Sequence, residues 1–512
     1  MILGLVRDPR QFGTWLLVAA IVLYLVHAAS FGSCLQDDAY ISLRYARNLA
    51  DGQGLVFNPG ERVEGYTNFL WTVLCAIPFA LGIDPARFLV GMGVVSGAGA
   101  LLAAAFLARQ GDPDSPLAPG TAAAISAGLP FFVAESIMGL ETAAFAAFVV
   151  LACGLFCREK RSSTFPWSGA VLALAALSRP EGVMVAGILC VSDLFDAVRE
   201  RRVGRSRLVR WLLFVAPVAA HVLFRLAYYG ELVPNTFHAK VGGGLALAAR
   251  GLSYAGSFAF HAWPLLIAAG LGVAVLLRDR AGRNPALPML LAVPVVYVLY
   301  VIVIGGDYKE TSRFFAPPAL FFAALGGVGI ARSVASLRFP ALWRLGATAA
   351  VVVAMIALGG PTREFGRARS LDLRIDREIG RWLKAHLPPT TLLATCNAGV
   401  IPFEASLPTI DMLGLCDRRI ARAEVSGMGR GDAGHEKADP EYVLGQKPDV
   451  VLFRRARASR RPVSAERIAG VLMWKAEEGL WADPRFAREY VLRTTPLGDF
   501  YFNYFEKKGL GN

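Results

Sequence analysis

The chain has 512 residues, of which 55% are hydrophobic and 18% charged, and its mean hydropathy is +0.46. Soluble domains carry about 25% charged residues, so this composition excludes an ordinary water-soluble protein and predicts one embedded in a membrane. The formal net charge is +13, but an extended basic stripe with interleaved aromatic residues is missing, so nucleic acid is not expected as a partner.

Charged residues are unevenly distributed along the chain. Residues 361–512 hold 25 Lys/Arg and 20 Asp/Glu, whereas residues 1–360 hold 28 and 20. We therefore predict a polytopic α-helical membrane domain at 1–360. We also predict a soluble domain at 361–512, which is long enough to bury a core of its own.

The first predicted membrane span follows two arginines. Residues 11–36 contain no charged side chain, and this run exceeds the roughly 20 residues that a helix needs to cross a bilayer. Arg7 and Arg10 precede it, which predicts a cytoplasmic N-terminus. A cleaved signal that ends near Ala28-Ala29-Ser30 is the alternative, but the many apolar segments that follow favour a retained anchor.

Further apolar segments bring the predicted total to about eleven transmembrane helices, in the plasma (inner) membrane. They cover residues 68–83, 87–108, 119–134, 141–157, 166–192, 208–227, 258–277, 286–305, 314–331 and 344–360. An odd number of spans places the C-terminal domain on the exoplasmic side. It also places the arginine-rich loops at 199–210, 278–283 and 332–344 inside, as the positive-inside rule expects.

One basic cluster contradicts this topology. Arg158, Lys160 and Arg161 would lie outside the cytoplasm. Either segments 68–83 and 87–108 do not both cross, or segment 166–192 is broken at Arg179-Pro180 into two short helices. The topology between residues 68 and 195 is left open by the sequence.

The C-terminal part has the pattern of an α/β domain. Leu371, Ile375, Ile379 and Leu383 recur at helical spacing before a Pro-Pro pair that ends the helix. Strand-like runs follow at 391–395, 408–413, 449–453, 490–493 and 500–505.

A polar loop directly after the first span carries two adjacent carboxylates, Asp37 and Asp38. Arg44 and Tyr45 follow one to two helical turns later, where a cation can hold a carboxylate in its ionised form. An ionised carboxylate at a membrane surface can accept the proton of a sugar hydroxyl. The alternative interpretation is a solvated loop beside a helix end.

Several motifs together resemble one family. The first, at 37–71, reads Asp-Asp-Ala-Tyr-Ile-Ser-Leu-Arg-Tyr and then Gly-Leu-Val-Phe-Asn-Pro-Gly-Glu-Arg-Val-Glu-Gly-Tyr-Thr-Asn-Phe-Leu-Trp. The others are at 139–142, 178–182, 232–240, 305–308, 312–315 and 411–415. They resemble the GT-C membrane glycosyltransferases, and within them the terminal arabinofuranosyltransferase group of mycobacteria and its bacterial relatives.

This resemblance implies a GT-C fold and a glycosyltransferase. Such an enzyme takes a sugar, arabinofuranose in that group, from a polyprenyl-phosphate donor at the outer face of the membrane. The acceptor is a glycan, lipid or protein of the cell envelope. In GT-C enzymes the first outer loop carries the catalytic aspartate, which corresponds here to Asp37 or Asp38. The motifs are specific for fold and reaction class and less specific for the sugar.

Charged residues that border the apolar runs need partners, because an unpaired charge costs about 2.5 to 3.5 kcal/mol there. For Arg179 and Glu181 a structural pair is as plausible as ligand contact. Arg313 is predicted to bind the donor phosphate, whose geometry a guanidinium matches. The alternative is an Asp307–Arg313 pair that only fixes the turn between two spans.

The remaining candidates lie in loops or at span ends. Lys240 is a candidate for phosphate oxygens, whereas a lone loop histidine such as His238 is more often an incidental polar contact. Aromatic residues of the first loop either stack on sugars or anchor the chain at the bilayer interface. The predicted substrate-binding residues are Arg44, Tyr45, Glu64, Tyr66, Asn68, Glu141, Asn235, His238, Lys240, Asp307 and Arg313.

The cysteines show no metal-ligand pattern, since no Cys-x-x-Cys occurs. Cys396 and Cys416 are either a disulfide or two free buried thiols. The Asp37–Asp38 pair can in principle bind a divalent cation, and no cofactor is assigned.

Two other functions compete with the enzyme. A flippase or transporter of lipid-linked sugars would need charges near the bilayer midplane and repeated halves, whereas the charges here gather at one face. A non-catalytic anchor that presents the soluble domain would not need the aspartate pair.

Overall fold

The structure is a computed structural model that describes residues 9–32, 34–240, 242, 244–278, 286–309, 311–335 and 340–509, apart from the side chains of residues 9, 340 and 341. The predictions that concern Arg7 and parts of the loops at 278–283 and 332–344 lie outside the described residues. By its contacts the chain divides into two compact units. Unit 1 comprises 1–34, 86–223 and 248–367, and unit 2 comprises 35–85, 224–247 and 368–512.

Helices dominate the chain up to residue 386. In chain order they are α1 (Pro9–Phe31), α2 (Asp37–Ala50), α3 (Phe69–Leu74), α4 (Ile77–Leu81), α5 (Pro85–Gly111), α6 (Ala118–Ala127), α7 (Pro130–Ile137), α8 (Thr142–Arg161), α9 (Trp167–Ser178), α10 (Glu181–Glu200), α11 (Arg205–Tyr229), α12 (Asn235–Lys240), α13 (Leu245–His261), α14 (Trp263–Arg278), α15 (Leu287–Val303), α16 (Ala316–Ser333), α17 (Pro340–Leu358) and α18 (Gly360–His386). A 3-10 turn at Arg313–Phe315 leads into α16.

The apolar helices make this a multi-pass membrane protein. Within the described residues, five helices are long and apolar enough to cross a membrane, and eight candidates result if each of three bent helix pairs is one span. Shorter apolar helices lie at 69–81, 167–178 and 287–303. Every predicted segment therefore falls on an apolar helix or helix pair, and the predicted total of about eleven is reached only if these shorter helices also cross.

Segment 166–192, for which a break at Arg179-Pro180 was one of two alternatives, is broken at that place. Helix α9 ends at Ser178, Arg179 has an extended backbone with φ −155° and ψ 144°, and α10 begins at Glu181. Proline cannot donate the backbone hydrogen bond that a continuous helix needs at this position, and it disfavours a helical residue before it. The break is therefore present, and which segments between residues 68 and 195 cross the membrane stays open.

Small residues let the helices of unit 1 pack backbone against backbone. A Cβ added to Gly272 in α14 would lie 2.1 Å from the carbonyl oxygen of Leu325 in α16. A Cβ added to Gly327 in α16 would lie 2.6 Å from the carbonyl oxygen of Ala118 in α6. Helices in a bilayer associate by such close packing at small residues. Lipid tails are as apolar as the helices, so the hydrophobic effect does not drive the helices together.

Unit 2 contains a six-stranded sheet with strand order β2-β1-β3-β6-β4 and with β5 also paired to β6. The strands are β1 (Leu393–Thr395), β2 (Thr409–Asp411), β3 (Val450–Leu452), β4 (Ala458–Ser459), β5 (Tyr490–Leu497) and β6 (Phe500–Lys507). The helices that accompany them are α19 (Val400–Ala405), α20 (Arg418–Ala421), α21 (Pro440–Gly445), α22 (Ala465–Ala469), α23 (Lys475–Ala482) and α24 (Pro484–Glu489).

The sheet combines parallel and antiparallel pairing. Strand β1 pairs parallel with β2 and β3, whereas β6 pairs antiparallel with β3, β4 and β5. The predicted α/β character and the five predicted strands are confirmed. Strand β4 was not predicted, because a run of two residues is too short to show the alternation of apolar and polar side chains that indicates a strand. Cys396 and Cys416 are both free and buried.

The loop after the first span belongs by its contacts to unit 2. Ile41, Tyr45, Phe57, Tyr66 and Tyr229 share one hydrophobic cluster in this unit. The C-terminal segment of unit 2 begins at residue 368, close to the predicted boundary. The division of the chain at residue 360 into a membrane domain and a soluble domain stays a prediction.

Candidate functional site

Asp37 begins α2, and backbone N–H groups fix its carboxylate. Its Oδ2 accepts a hydrogen bond from the N–H of Gly399 at 3.1 Å, and its Oδ1 accepts one from the N–H of Val400 at 2.8 Å. These N–H groups stand at the start of α19, where a helix has no internal acceptors for them. A carboxylate can accept about four hydrogen bonds, so Asp37 is oriented and can still accept a proton.

The surroundings of Asp37 tune its acidity. Burial, followed by the charge of nearby Asp376, raises the pKa of Asp37 to about 6. Asp376 is itself buried and forms ion pairs with Arg454 and Arg457. A general base works best when its pKa lies near the operating pH, so the pKa of Asp37 suits proton abstraction near neutrality.

Asp38 is the second predicted catalytic residue and follows in the first turn of α2. It is half-buried. Because the two aspartates are chain neighbours at one helix start, the structure keeps the predicted pair together, and both remain candidates for the base.

The N–H groups of the Arg44 guanidinium all donate hydrogen bonds to other residues of the protein. Its Nε donates to the carbonyl of Phe57 at 2.7 Å, one terminal nitrogen donates to Pro402 and Thr409, and the other donates to Asn58 and Leu407. A guanidinium has five N–H donors, so none is left for a phosphate. These contacts favour a structural role for Arg44 over the predicted contact with substrate.

The predicted aromatic contacts also hold the loop together. The hydroxyl of Tyr45 donates to the carbonyl of Val63 at 2.7 Å and accepts the N–H of Gly65 at 2.9 Å. The hydroxyls of Tyr66 and Tyr229 lie 3.0 Å apart. Tyr45 and Tyr66 are buried, so their rings stabilise unit 2 and do not offer open faces for sugars.

Asn68 and Glu64 are likewise bonded to other residues of the protein. Asn68 precedes α3, where its Oδ1 accepts the hydroxyl of Thr72 at 2.9 Å and its Nδ2 donates to Ser42 at 3.2 Å. Glu64 forms two hydrogen bonds with Arg225, at 2.6 and 3.1 Å. A buried carboxylate needs such a partner, so this pair explains Glu64 without a ligand.

Asn235 connects the loop to the motif at 411–415. Its N–H donates to the carbonyl of Glu64 at 3.0 Å, and its Nδ2 lies 2.9 to 3.1 Å from the carbonyls of Gly414, Leu415 and Asp417. Asp411 shapes that turn, because its carboxylate accepts the N–H groups of residues 413 and 416. The motifs at 232–240 and 411–415 therefore meet within unit 2.

Three buried polar atoms of α12 have no hydrogen-bond partner among the described residues. They are Asn235 Oδ1, Thr236 Oγ1 and His238 Nε2. Buried polar atoms are nearly always paired, so three orphans within four residues mark this short helix as a place that a ligand or water completes. Thr236 was not predicted, because a lone threonine has no distinctive sequence pattern. Lys240 at the end of α12 is exposed.

Asp307 and Arg313, both in unit 1, form an ion pair. Arg313 is 9% exposed. The alternative in which this pair fixes the turn is thus present in the structure, and the predicted contact with phosphate stays a prediction. Gly306 has φ +64°, and a Cβ there would lie 2.6 Å from the ring of Tyr254, so this glycine makes room for a tyrosine.

A buried glutamate supports this turn and was not predicted. Glu135 in α7 is fully buried and accepts the hydroxyl of Thr311 at 2.6 Å and that of Thr142 at 3.2 Å. The sequence signal was an acidic residue at the end of an apolar run. Its partner Thr311 is 176 positions away, so the contact was not readable from spacing.

Arg179 joins Glu141 and Glu181 in one buried cluster of unit 1. Its two terminal nitrogens each lie 2.8 Å from a carboxylate oxygen, one from Glu141 and one from Glu181. The expected structural pair is formed, and Glu141, predicted to contact substrate, is its third member. Among the described residues there is no group of three or more His, Cys, Asp or Glu side chains placed to hold a metal ion.

The fold is that of the GT-C membrane glycosyltransferases. The crystal structure of ArnT from Cupriavidus metallidurans bound to undecaprenyl phosphate aligns with a TM-score of 0.58 and 13% identity, over 99% of this chain and 100% of that one. The Archaeoglobus fulgidus oligosaccharyltransferase in complex with Zn and sulfate aligns with a TM-score of 0.51 and 15% identity, over 77% of this chain and 62% of that one. The predicted GT-C fold is confirmed.

Curated relatives refine this likeness. The terminal beta-(1->2)-arabinofuranosyltransferase of Mycobacterium tuberculosis is 27% identical over 353 residues, 63% of this chain and 51% of the relative. The protein of the same name from Corynebacterium glutamicum is 29% identical over 324 residues, 55% of this chain and 46% of the relative. The predicted resemblance is confirmed, and the chain spans about half the length of the curated relatives it matches.

A family model also matches the C-terminal part. Residues 366–502 match a domain of unknown function (DUF8728). The matched range begins within α18 and includes β1 to β4 with part of the β5–β6 hairpin.

Proposed function

We propose that this protein is a glycosyltransferase that transfers a sugar from a polyprenyl-phosphate donor to a cell-envelope glycan at the outer face of the membrane. The GT-C fold and the names of the relatives support this function over a flippase. The names of the curated relatives favour arabinofuranose as the sugar. The observation that carries the proposal is the carboxylate of Asp37, which two backbone N–H groups orient and whose pKa is raised to about 6.

The proposed reaction needs one base and one group that accepts negative charge. Asp37 or Asp38 accepts the proton of the acceptor hydroxyl, whose oxygen forms the new bond to the anomeric carbon of the sugar. The bond between that carbon and the phosphate oxygen breaks, and the polyprenyl phosphate leaves with the electron pair. Arg313 and Lys240 are the proposed cations for the leaving phosphate, and Arg44 is no longer proposed because its donors are all used.

The test uses the purified full chain in lipid nanodiscs, polyprenyl-phosphate arabinofuranose as donor and a linear arabino-oligosaccharide as acceptor. Asp37→Asn or Asp38→Asn should lower the rate at least about 100-fold, as removal of a general base does. Asp51→Asn is the matched control, because Asp51 is an exposed aspartate at the other end of α2. Near wild-type rates in both single variants would refute the proposed base. No product from the wild-type chain would refute the proposed function.

A further inference from the structure

Unit 2 contains a large open groove that the proposed reaction does not use. Its volume is about 1220 Å³. The walls come from the loop at 61–63, from Glu231, and from two stretches at 417–424 and 438–442. Pockets for drug-sized ligands measure about 300 to 1,000 Å³, so this groove is large enough for a ligand of several rings.

The lining is polar and carries charges of both signs. Six carboxylates and four arginines line the groove among the described residues. Two of the arginines pair with carboxylates of the lining: Arg422 lies 2.7 Å from Glu231, and Arg419 lies 3.2 Å from Asp439. Because the four arginines offset most of the charge of the six carboxylates, the surface attracts neither an acidic polymer nor a basic one strongly, but it retains many hydrogen-bond donors and acceptors.

Such a surface can bind pairs of neighbouring hydroxyl groups, such as those of a sugar ring. The side chain of Arg419 is 71% exposed although it is paired, so further N–H donors face the solvent. Tyr442 is half-buried and donates its hydroxyl to Asp417 at 3.2 Å. Planar guanidinium and carboxylate groups offer two donors or two acceptors side by side, and a pair of adjacent sugar hydroxyls can bond to both.

The groove and the candidate site share a loop. The loop that forms one wall at 61–63 runs directly on to Glu64 and Gly65, which Asn235 and Tyr45 hold. Asn235 also donates to the carbonyl of Asp417, whose residue lines the groove. A chain bound in the groove is therefore in contact with the same loop that connects to Asp37 through α2.

We propose that this groove binds the acceptor glycan as an uncharged saccharide chain of several rings. The proposal rests on the proposed function and adds to it a subsite for the part of the acceptor that does not react. A binding contact remote from the reacting hydroxyl should matter for a long acceptor and not for a short one.

The experiment measures transfer to an arabinose hexasaccharide and to an arabinose monosaccharide glycoside by the full chain in nanodiscs. Arg419→Ala should raise the KM for the hexasaccharide about tenfold, which corresponds to the loss of one hydrogen bond to a charged group. The KM for the monosaccharide glycoside and the kcat for both should not change. Arg422→Ala serves as a second variant if Arg419→Ala does not fold.

Arg493→Ala is the matched control, because Arg493 is also an exposed arginine paired with a carboxylate, Glu506, in unit 2 but does not line the groove. It should leave both KM values at wild-type levels. Equal effects of Arg419→Ala on both acceptors, or no effect on either, would overturn the proposal while the transferase stands.

Saturation-transfer NMR with the hexasaccharide alone separates the two proposals. Binding that is lost in Arg419→Ala supports the groove even if the wild-type chain transfers nothing, in which case only the proposed function fails. Binding of an oligolysine peptide that is lost when the groove carboxylate Glu441 is changed to glutamine, with no binding of the hexasaccharide, would identify a basic protein partner and overturn the saccharide proposal.

Discussion

Gly399 lies against Asp37 so closely that a Cβ at position 399 would come within 2.0 Å of the Asp37 carbonyl oxygen and 2.6 Å of its carboxyl carbon. The same glycine donates its N–H to that carboxylate. Any larger residue would have to push α2 and the start of α19 apart, and the two hydrogen bonds that orient Asp37 would be lost. Gly399 is therefore a positioning residue for the proposed base.

The first prediction follows from this contact. Gly399→Ala should destabilise the protein by about 1 to 3 kcal/mol, the usual cost of overpacking, and lower kcat more than it changes either KM. Thermal unfolding in detergent and transfer kinetics check it. Gly445→Ala is the control, because nothing lies within 4 Å of a Cβ at that position, and it should leave both measurements near wild type. An unchanged kcat in Gly399→Ala would contradict the positioning role.

The second prediction concerns pH. If Asp37 is the base, it must be ionised, so kcat/KM should rise with pH through about 6, the raised pKa of Asp37, and level off above it. Asp376 raises this pKa by like-charge repulsion. Asp376→Asn should therefore lower the pKa of Asp37 and move the acid limb of the profile to lower pH. A profile that stays in place in this variant would mean that another group titrates.

Some of this architecture was readable from the sequence, and the reason lies in local signals. The break at Arg179-Pro180 was one of two alternatives that the sequence offered, and proline and a charge both oppose a continuous span there. The short strands β1 to β3 were predicted because each is a compact apolar run between turn residues. These features depend on residues that are neighbours in the chain.

The role of Arg44 was not readable, because its acceptors are mostly backbone carbonyls. The carbonyls of Phe57, Pro402 and Leu407 come from segments far apart in the chain, and every residue has a carbonyl. The motif drew attention to Arg44 correctly, but the sequence does not distinguish an arginine that binds phosphate from one that holds loops together. The buried partner of Glu135 was hidden for another reason, because Thr311 is 176 positions away in the chain.

The third prediction tests the structural role of Arg44. Arg44→Lys should reduce stability by about 2 kcal/mol or more, because lysine has three donors where arginine uses five and leaves buried carbonyls unpaired. At temperatures where the variant is folded, the KM for the donor should stay at the wild-type value. Arg455→Lys, at an exposed arginine of unit 2, is the control. A raised donor KM with unchanged stability would restore the contact with phosphate.

The fourth prediction concerns Glu135. Thr311→Val removes the hydroxyl that donates to this fully buried carboxylate at 2.6 Å. The free energy of unfolding should fall by about 1 to 3 kcal/mol, the cost of leaving a buried acceptor with one fewer donor. Thr390→Val, at an exposed threonine, should change stability little. Equal stability of the Thr311 variant and wild type would show that the turn at 305–315 does not depend on Glu135.

The last prediction separates the two roles of Arg313. Asp307 already pairs with its guanidinium, so a donor phosphate would have to bind beside that pair. In that case Arg313→Lys should raise the donor KM about tenfold, because lysine pairs with Asp307 but cannot hold a phosphate at two points. Asp307→Asn should leave donor binding intact or tighten it, since a competing anion is removed.

If the pair only fixes the turn, the pattern reverses. Asp307→Asn then removes the carboxylate charge that pairs with the buried Arg313 and should lower stability, while Arg313→Lys keeps an ion pair and retains donor binding. Measuring the donor KM and the unfolding temperature for both variants, with Arg109→Lys at an exposed position of α5 as control, decides between the two. Donor binding that is unchanged in both variants would remove Arg313 from the phosphate site and leave Lys240 as the proposed cation.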